Sequence, residues 1–270
     1  MREMTRRRRF VDTRYGQLHV AEQGDGDPVI LLHQTPRSWD EYRDVLPLLA
    51  SAGYRGIAVD TPGFGDSARP IQPWTIELFA DGVLAVADAL DLGGFDLVGH
   101  HTGGVIAVEV AASAPGRVAR LVLSGTPYVD ADRRHRVRSR PPVDHVVPAD
   151  DGSHLLALWR NRTPFYPADR PDLLARLVRD ALGVLDRLED GHAAVNAYRM
   201  EDRIGLVTAR TLVLCGELDQ FSMPDLPRLV AAIPGAQSAV LPGTGVPAVD
   251  HRPAEFAALV TAFLDSRPNP

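Results

Sequence analysis

One stretch constrains the fold of this chain more than any other: Phe95-Asp96-Leu97-Val98-Gly99-His100-His101-Thr102-Gly103-Gly104-Val105-Ile106-Ala107. The apolar run 95–98 meets a glycine-bracketed tripeptide and passes directly into an alanine- and valine-rich helical pattern, so it reads as strand, sharp turn, helix. Continuous apolar runs recur at 29–32, 57–59 and 121–123, as expected of strands buried on both faces of a parallel sheet. Helical patterns at 46–50 and 75–90, together with the one that follows the glycines, separate them. The alternation predicts right-handed βαβ crossovers and a doubly wound parallel sheet.

Ahead of this unit, 9–12 and 17–22 form an expected antiparallel hairpin turned by Tyr15-Gly16. From 126 to 205 the strand signal stops and helical patterns appear around 154–160, 171–188 and 192–200, which predicts an inserted helical cap. Strand and helix signals then resume at 211–214, 226–232 and 239–241, and a last helix starts near Pro253. The expected organisation is a core of residues 1–125 and 206–270 with a cap of residues 126–205.

At 270 residues the chain can bury a sizeable core, and 45% apolar with 24% charged residues is ordinary for a globular protein. A net charge of −6 supplies no drive toward nucleic acid or anionic membranes. Arg6 to Arg9 are expected to be a solvated arm before the first strand, since no apolar segment follows them as in a targeting peptide. No run approaches the roughly 18 apolar residues of a spanning helix, so a soluble protein is expected, and a single cysteine, unable to form an intramolecular disulfide, suits a reducing cytoplasm. The lone cysteine, Cys215, lies inside an apolar run and reads as core filler.

Four segments stand in the order of a known family. Leu32-His33-Gln34-Thr35-Pro36 is similar to an H-G-x-P oxyanion segment, and Asp60-Thr61-Pro62-Gly63-Phe64-Gly65-Asp66-Ser67 to a D-x-P-G-x-G-x-S loop. Gly99 to Gly103 is similar to the G-x-S-x-G nucleophile elbow. Gly216-Glu217-Leu218-Asp219 is similar to a G-E-x-D segment. Over almost its full length the chain therefore resembles the α/β-hydrolase superfamily. The resemblance implies an eight-stranded, mostly parallel sheet with an inserted cap, Asp219 as the acid, and the backbone N–H groups of Thr35 and Thr102 as oxyanion donors.

At two places the sequence departs from that pattern. His101 stands at the nucleophilic serine's position, and Val246 follows Pro242-Gly243-Thr244-Gly245 where the triad histidine is expected. An acyl-serine mechanism at the elbow is excluded on chemistry, because valine accepts no proton and imidazole is no alkoxide. The two departures are consistent with one change: an elbow imidazole reaching into the space the triad histidine vacates and bonding Asp219 directly. The carboxylate would then fix its tautomer and strengthen it as a base. A space-filling His101 and a metal-binding one are the alternatives. No spacing among His33, His100, His101 and Asp219 is an established zinc or iron pattern, so neither metal nor cofactor is expected.

Further candidates for the substrate pocket are Gln34, whose amide faces either the pocket or solvent, and Trp159, Tyr166, His192 and Tyr198 of the cap. Val246 and His251 complete the set, His251 as a displaced histidine just before the last helix. His33 is expected to tie loops together and His100 to lie buried under a loop. The arginines 133, 134, 136, 138 and 140 read as a solvated, flexible loop.

The expected function is a cofactor-independent enzyme acting on a small organic molecule through a His101–Asp219 general acid/base pair. Water-mediated hydrolysis of an ester, lactone or carbon–carbon bond fits that layout. Proton abstraction by a lyase, isomerase or cyclase fits it too, and a non-catalytic ligand-binding protein is the rival from another class. A small-molecule substrate is the expected partner, with no nucleic acid or membrane, and a homodimer stays open.

Overall fold

The computed structural model describes residues 5–266. Its strands are β1 (Arg7–Thr13), β2 (Gly16–Gln23), β3 (Asp27–Leu32), β4 (Tyr54–Val59), β5 (Phe95–His100), β6 (Val118–Ser124), β7 (Arg210–Gly216) and β8 (Gln237–Leu241). Helix α1 (Leu46–Ser51) precedes β4, α2 (Ile76–Ala89) precedes β5, and α3 (Thr102–Ser113) follows it. Between β6 and β7 come α4 (Ala131–Val137), α5 (Ser153–Arg162), α6 (Pro171–Leu182) and α7 (Asp190–Ala197). Then α8 (Leu226–Ala232) precedes β8, and α9 (Ala248–His251) and α10 (Pro253–Asp265) close the described chain.

One eight-stranded sheet results, in the order β1-β2-β4-β3-β5-β6-β7-β8. The pairs β1–β2 and β2–β4 are antiparallel and all others parallel, so β2 alone runs backward. Alternate residues of the central strands point to opposite faces. Ile30, Leu32, Leu97, Leu121 and Leu123 pack with Phe79, Val83, Ile106 and Val110 of α2 and α3. Leu31, Val98 and Val122 pack on the other face with Leu46 and Leu49 of α1 and Phe256 and Val260 of α10. Burial on both faces is what makes these strands uniformly apolar. It also sets β5 in mid-sheet, between β3 and β6, with its carboxyl end open to the loops that follow β3, β6 and β7.

Three expectations need correction. Arg7, Arg8 and Arg9 are not an arm ahead of the first strand but part of β1, where Arg8 pairs with Asp66 and Arg9 with Glu22. Of the arginines expected in a solvated loop after β6, Arg133, Arg134 and Arg136 lie instead in a helix, α4, capped by the Asp130 carboxylate accepting from the Arg133 N–H, while Arg138 and Arg140 follow it in exposed turns. Arg133 and Arg134 are held there by Asp225 and Glu201. The pattern at 171–188 is not one helix either, since α6 stops at Leu182 with Gly183 as its cap and a separate short turn spans Leu185–Arg187. No helix among the described residues is long and apolar enough to cross a membrane.

Candidate active site

The turn after β5 has the geometry its glycines require. His101 sits at φ 47° and ψ −110°, a backbone conformation an L-residue adopts at a cost of about 1–3 kcal/mol and keeps only when its surroundings enforce it. Here the enforcing contacts are close. A Cβ on Gly99 would stand 2.2 Å from the Gly103 carbonyl oxygen, and one on Gly103 would stand 2.0 Å from the Leu32 carbonyl oxygen. The His101 N–H donates to the Ser124 carbonyl at the end of β6 (2.9 Å), and the His101 carbonyl accepts from Gly104 N–H (2.9 Å) to start α3.

This strained turn projects the imidazole toward the loop after β7. His101 Nε2 lies 2.9 Å from Asp219 Oδ2, a close contact bent away from a straight hydrogen bond. Asp219 is buried and its other oxygen, Oδ1, accepts the N–H groups of Phe221 (3.0 Å) and Ser222 (3.2 Å). Burial works to raise the Asp219 carboxyl, but the adjacent His101 imidazole and the Phe221 N–H outweigh it and hold the group below the ordinary carboxylate range. Nε2 being the nitrogen nearer the carboxylate favours the Nε2–H tautomer, in which Nδ1 carries the imidazole lone pair. Nδ1 is bonded to Cγ, only one bond farther from the backbone than a serine oxygen would be.

Space for the contact depends on a residue the motifs did not single out. Gly125, at φ 53°, follows β6, and a Cβ there would stand 2.9 Å from His101 Nε2 and 3.1 Å from Asp219 Oδ2. The available signal was a glycine immediately after a buried strand, facing the elbow across the β5–β6 pair.

The segment after β3 comes to the same place. Thr35 N–H faces the Thr102 hydroxyl at 3.4 Å, which brings together the two residues expected to supply oxyanion donors. His33 joins this segment to the 60–67 loop: its Nδ1–H donates to the Gln34 carbonyl (2.9 Å), and its Nε2 accepts from Thr61 N–H (3.1 Å). Gln34 corrects the expectation of an amide facing pocket or solvent. It is buried, and both its backbone N–H (2.8 Å) and its side-chain amide (2.6 Å) donate to the Glu41 carboxylate.

Beneath this segment lies a charge cluster that no motif signalled. Arg37 is fully buried, paired with Asp250 of α9 and, through Nε, with Asp180 of α6 at 2.9 Å. Arg176 of α6 joins it, 3.2 Å from Asp250 and 2.8 Å from Asp40.

The remaining candidates separate. Trp159 packs against the small apolar cluster of Tyr166, Leu173, Leu174 and Leu177 between α5 and α6. The Tyr166 hydroxyl is buried without a hydrogen-bond partner. His192 Nε2 lies 2.9 Å from Asp144 Oδ2. Burial would raise the Asp144 carboxyl, but Arg162 and His192 hold it far below the ordinary range. Gly191, next to His192, packs on Thr35, whose hydroxyl a Cβ at 191 would approach to 2.3 Å. Tyr198 is a structural tie, its hydroxyl donating to Glu109 of α3 at 2.7 Å. The Tyr198→Phe variant should lose about 1–2 kcal/mol in urea unfolding and keep its turnover, because Arg203 continues to hold Glu109.

Val246 is buried, and its carbonyl accepts from His100 Nε2–H (2.9 Å). His251 engages the Thr244 hydroxyl through Nδ1 at 2.9 Å rather than the elbow. Cys215 is buried in β7, and burial pushes its thiol up to about 12.

His19, Asp60 and Asp66 offer ligand atoms within 4.8 Å of one another. The cation among them is a guanidinium: Arg8 donates to His19 Nε2 (3.0 Å) and pairs with Asp66, while His19 Nδ1 holds Asp60 (2.8 Å). A cavity of about 590 Å³ opens elsewhere, between Arg69, residues 145–148 and residues 182–190, and the dyad does not line it.

A family model described as the alpha/beta hydrolase fold matches residues 27–246. The chain is similar to a 2-hydroxy-6-oxononadienedioate/2-hydroxy-6-oxononatrienedioate hydrolase of Cupriavidus pinatubonensis, 30% identical over 95% of this chain and 94% of that protein. It is also similar to bifunctional epoxide hydrolase 2 of Sus scrofa, 34% identical over 43% of this chain, and it spans only 21% of that longer protein. Among solved structures, an enol-lactonase from Burkholderia xenovorans superposes with a TM-score of 0.78 at 21% identity, over 96% of this chain and 100% of that one.

Proposed function

The chain belongs to the alpha/beta hydrolase fold family, and from that premise we propose that it is a hydrolase in which His101, in place of the family's serine, activates water with Asp219 as its partner. The observation that carries this reading is the 2.9 Å contact between His101 Nε2 and Asp219 Oδ2, which leaves Nδ1 as the basic nitrogen. Nδ1 takes a proton from water, and the water oxygen attacks the carbonyl carbon of an ester, lactone or ketone. The Thr35 and Thr102 N–H groups receive the oxyanion, the Thr102 hydroxyl giving up its long contact to Thr35. On collapse of the tetrahedral intermediate, Nδ1–H returns its proton to the departing oxygen or carbon. No acyl-enzyme forms. The helices between β6 and β7 act as the cap that selects the substrate.

The named relatives support ester-like and carbon–carbon substrates, since one is an enol-lactonase and another a dienedioate hydrolase. The test is turnover of activated esters, enol-lactones and vinylogous diketones in ¹⁸O-water, with intact-mass measurement of the quenched enzyme. One ¹⁸O in the acid product and an unmodified protein mass are expected. An acyl adduct on the protein would overturn the mechanism, and ligand binding without turnover of any of these compounds would favour a binding protein.

A second reading is favoured by the openness of Nδ1 itself: a base that faces the substrate with no hydroxyl nucleophile between them can abstract a carbon-bound proton. Deuterium exchange into an enolisable ketone without hydrolysis would select that lyase, isomerase or cyclase chemistry.

Gly125→Ala should separate the dyad while the sheet stays folded. A loss of about 10–100-fold in kcat is expected for such a displacement, with a small change in KM. Steady-state kinetics on the folded variant checks it.

A further inference from the structure

His100 precedes the proposed base and is fully buried, yet it is not a passive filler. Its Nε2–H donates to the Val246 carbonyl in the loop after β8 (2.9 Å), and its Nδ1 accepts from the Ser124 hydroxyl at the end of β6 (3.1 Å). One imidazole thus joins the carboxyl ends of three parallel strands around the elbow. Its ring stands perpendicular to that of His101, with centroids 4.7 Å apart and an interplanar angle of 85°.

The contact with Asp219 fixes where Nε2 of His101 lies but not the plane in which that ring turns. We infer that His100 is a positioning residue for His101: anchored on Ser124 and Val246, its ring sets the plane of the His101 imidazole and so the direction of the Nδ1 lone pair. This inference rests on the reading of His101 as the base, and it concerns a residue that does not itself touch substrate.

The hydrogen-bond pattern requires a neutral His100, since a protonated Nδ1 could no longer accept from Ser124. The charged and titratable groups facing it are Glu41, from the turn after the oxyanion segment, then His101 beside it and Asp219 from the loop after β7. Burial outweighs the attraction of Glu41 and pushes His100 down to about 4, so it remains a neutral donor and acceptor wherever a histidine base operates. A cation at this distance would oppose the charge that His101 takes on in each turnover.

The experiment compares wild type with His100→Leu, which removes the ring and both bonds at similar volume, and Ser124→Ala, which removes one anchor. Two readouts are taken: steady-state kinetics, and the ring ¹⁵N shifts of His101 in protein labelled at histidine. In His100→Leu, kcat should fall about tenfold with KM changed by less than about twofold, the pattern of misorientation rather than lost binding. The His101 Nε2–H signal should move toward the average of the two tautomers. Ser124→Ala should shift both readouts in the same direction by less, and it decides the matter if His100→Leu does not fold. Unchanged His101 ring shifts and unchanged kcat in a folded variant would overturn the inference. The ring shifts are read without substrate, so the failure of His101 as a base, seen as full turnover by His101→Ala, is distinguishable from failure of its positioning by His100.

Discussion

Asp219→Asn should lower kcat about 10²–10⁴-fold while leaving the fold intact, and the reason lies in which oxygen of the carboxylate does what. Oδ1 accepts two backbone N–H groups, from Phe221 and Ser222. In the asparagine variant the amide oxygen must take that place, which turns the NH₂ toward His101. An amide N–H facing Nε2 makes Nε2 the acceptor, so the ring's hydrogen moves to Nδ1. The lone pair proposed to activate water is then gone although every atom remains nearly in position. His101→Ala should lose a similar factor by removing the base altogether. The double variant should be little worse than either single one, because residues acting as one unit are not additive. Steady-state kinetics of the three variants on a turned-over ester or lactone checks this, and multiplicative losses would show that the two residues act separately.

The largest expected effect on stability is at Arg37. Arg37→Met keeps much of the side chain's volume but leaves the fully buried Asp250 with Arg176 as its remaining partner, and it removes one of the ties to Asp180. Breaking a buried pair by removing one member costs about 3–5 kcal/mol, since the other charge stays behind in a medium that solvates it poorly. The loss should depend on pH. Burial raises the Asp250 carboxyl to about 6 in spite of Arg37 and Arg176, and without Arg37 it rises further. For an acid whose folded value is raised, the associated stability is present at low pH and lost as pH rises through the folded value. The variant's deficit should therefore be smaller at pH 5, where Asp250 is protonated and needs no counter-ion, and larger at pH 8. Urea unfolding at both values tests it. A deficit under about 1 kcal/mol at pH 8 would mean that Arg37 contributes no more than a surface ion pair.

What was legible in the sequence follows from what each residue depends on. Gly99 and Gly103 are forced by backbone atoms a few residues away or on the adjacent strand, so a local pattern announced the turn and with it the parallel sheet. The approach of His101 to Asp219 was inferable from a histidine at one family position and a valine at another. Partner choice among charged and polar side chains was not. Gln34 finds Glu41 through a turn, Tyr198 finds Glu109 across 89 residues, and Arg37 finds Asp250 across 213. Those pairings depend on how the loops after β3, the segment before β7 and the helix after β8 come together in three dimensions, and no period or motif records that. The first strand departs from expectation for a related reason: four consecutive arginines, Arg6 to Arg9, suggest a solvated arm, yet an exposed edge strand accommodates the last three where Asp66 and Glu22 lie within reach.

Chemical rescue tests the proposed role of His101 most directly. His101→Ala leaves a hole lined by Asp219 and Gly125 into which free imidazole fits, and its turnover is to be measured against imidazole concentration, alone and combined with Asp219→Asn. Saturable recovery by at least about tenfold, lost when Asp219 is also replaced, is the result expected of a base oriented by that carboxylate. Turnover by His101→Ala equal to wild type, or rescue that is the same with and without Asp219, would contradict it.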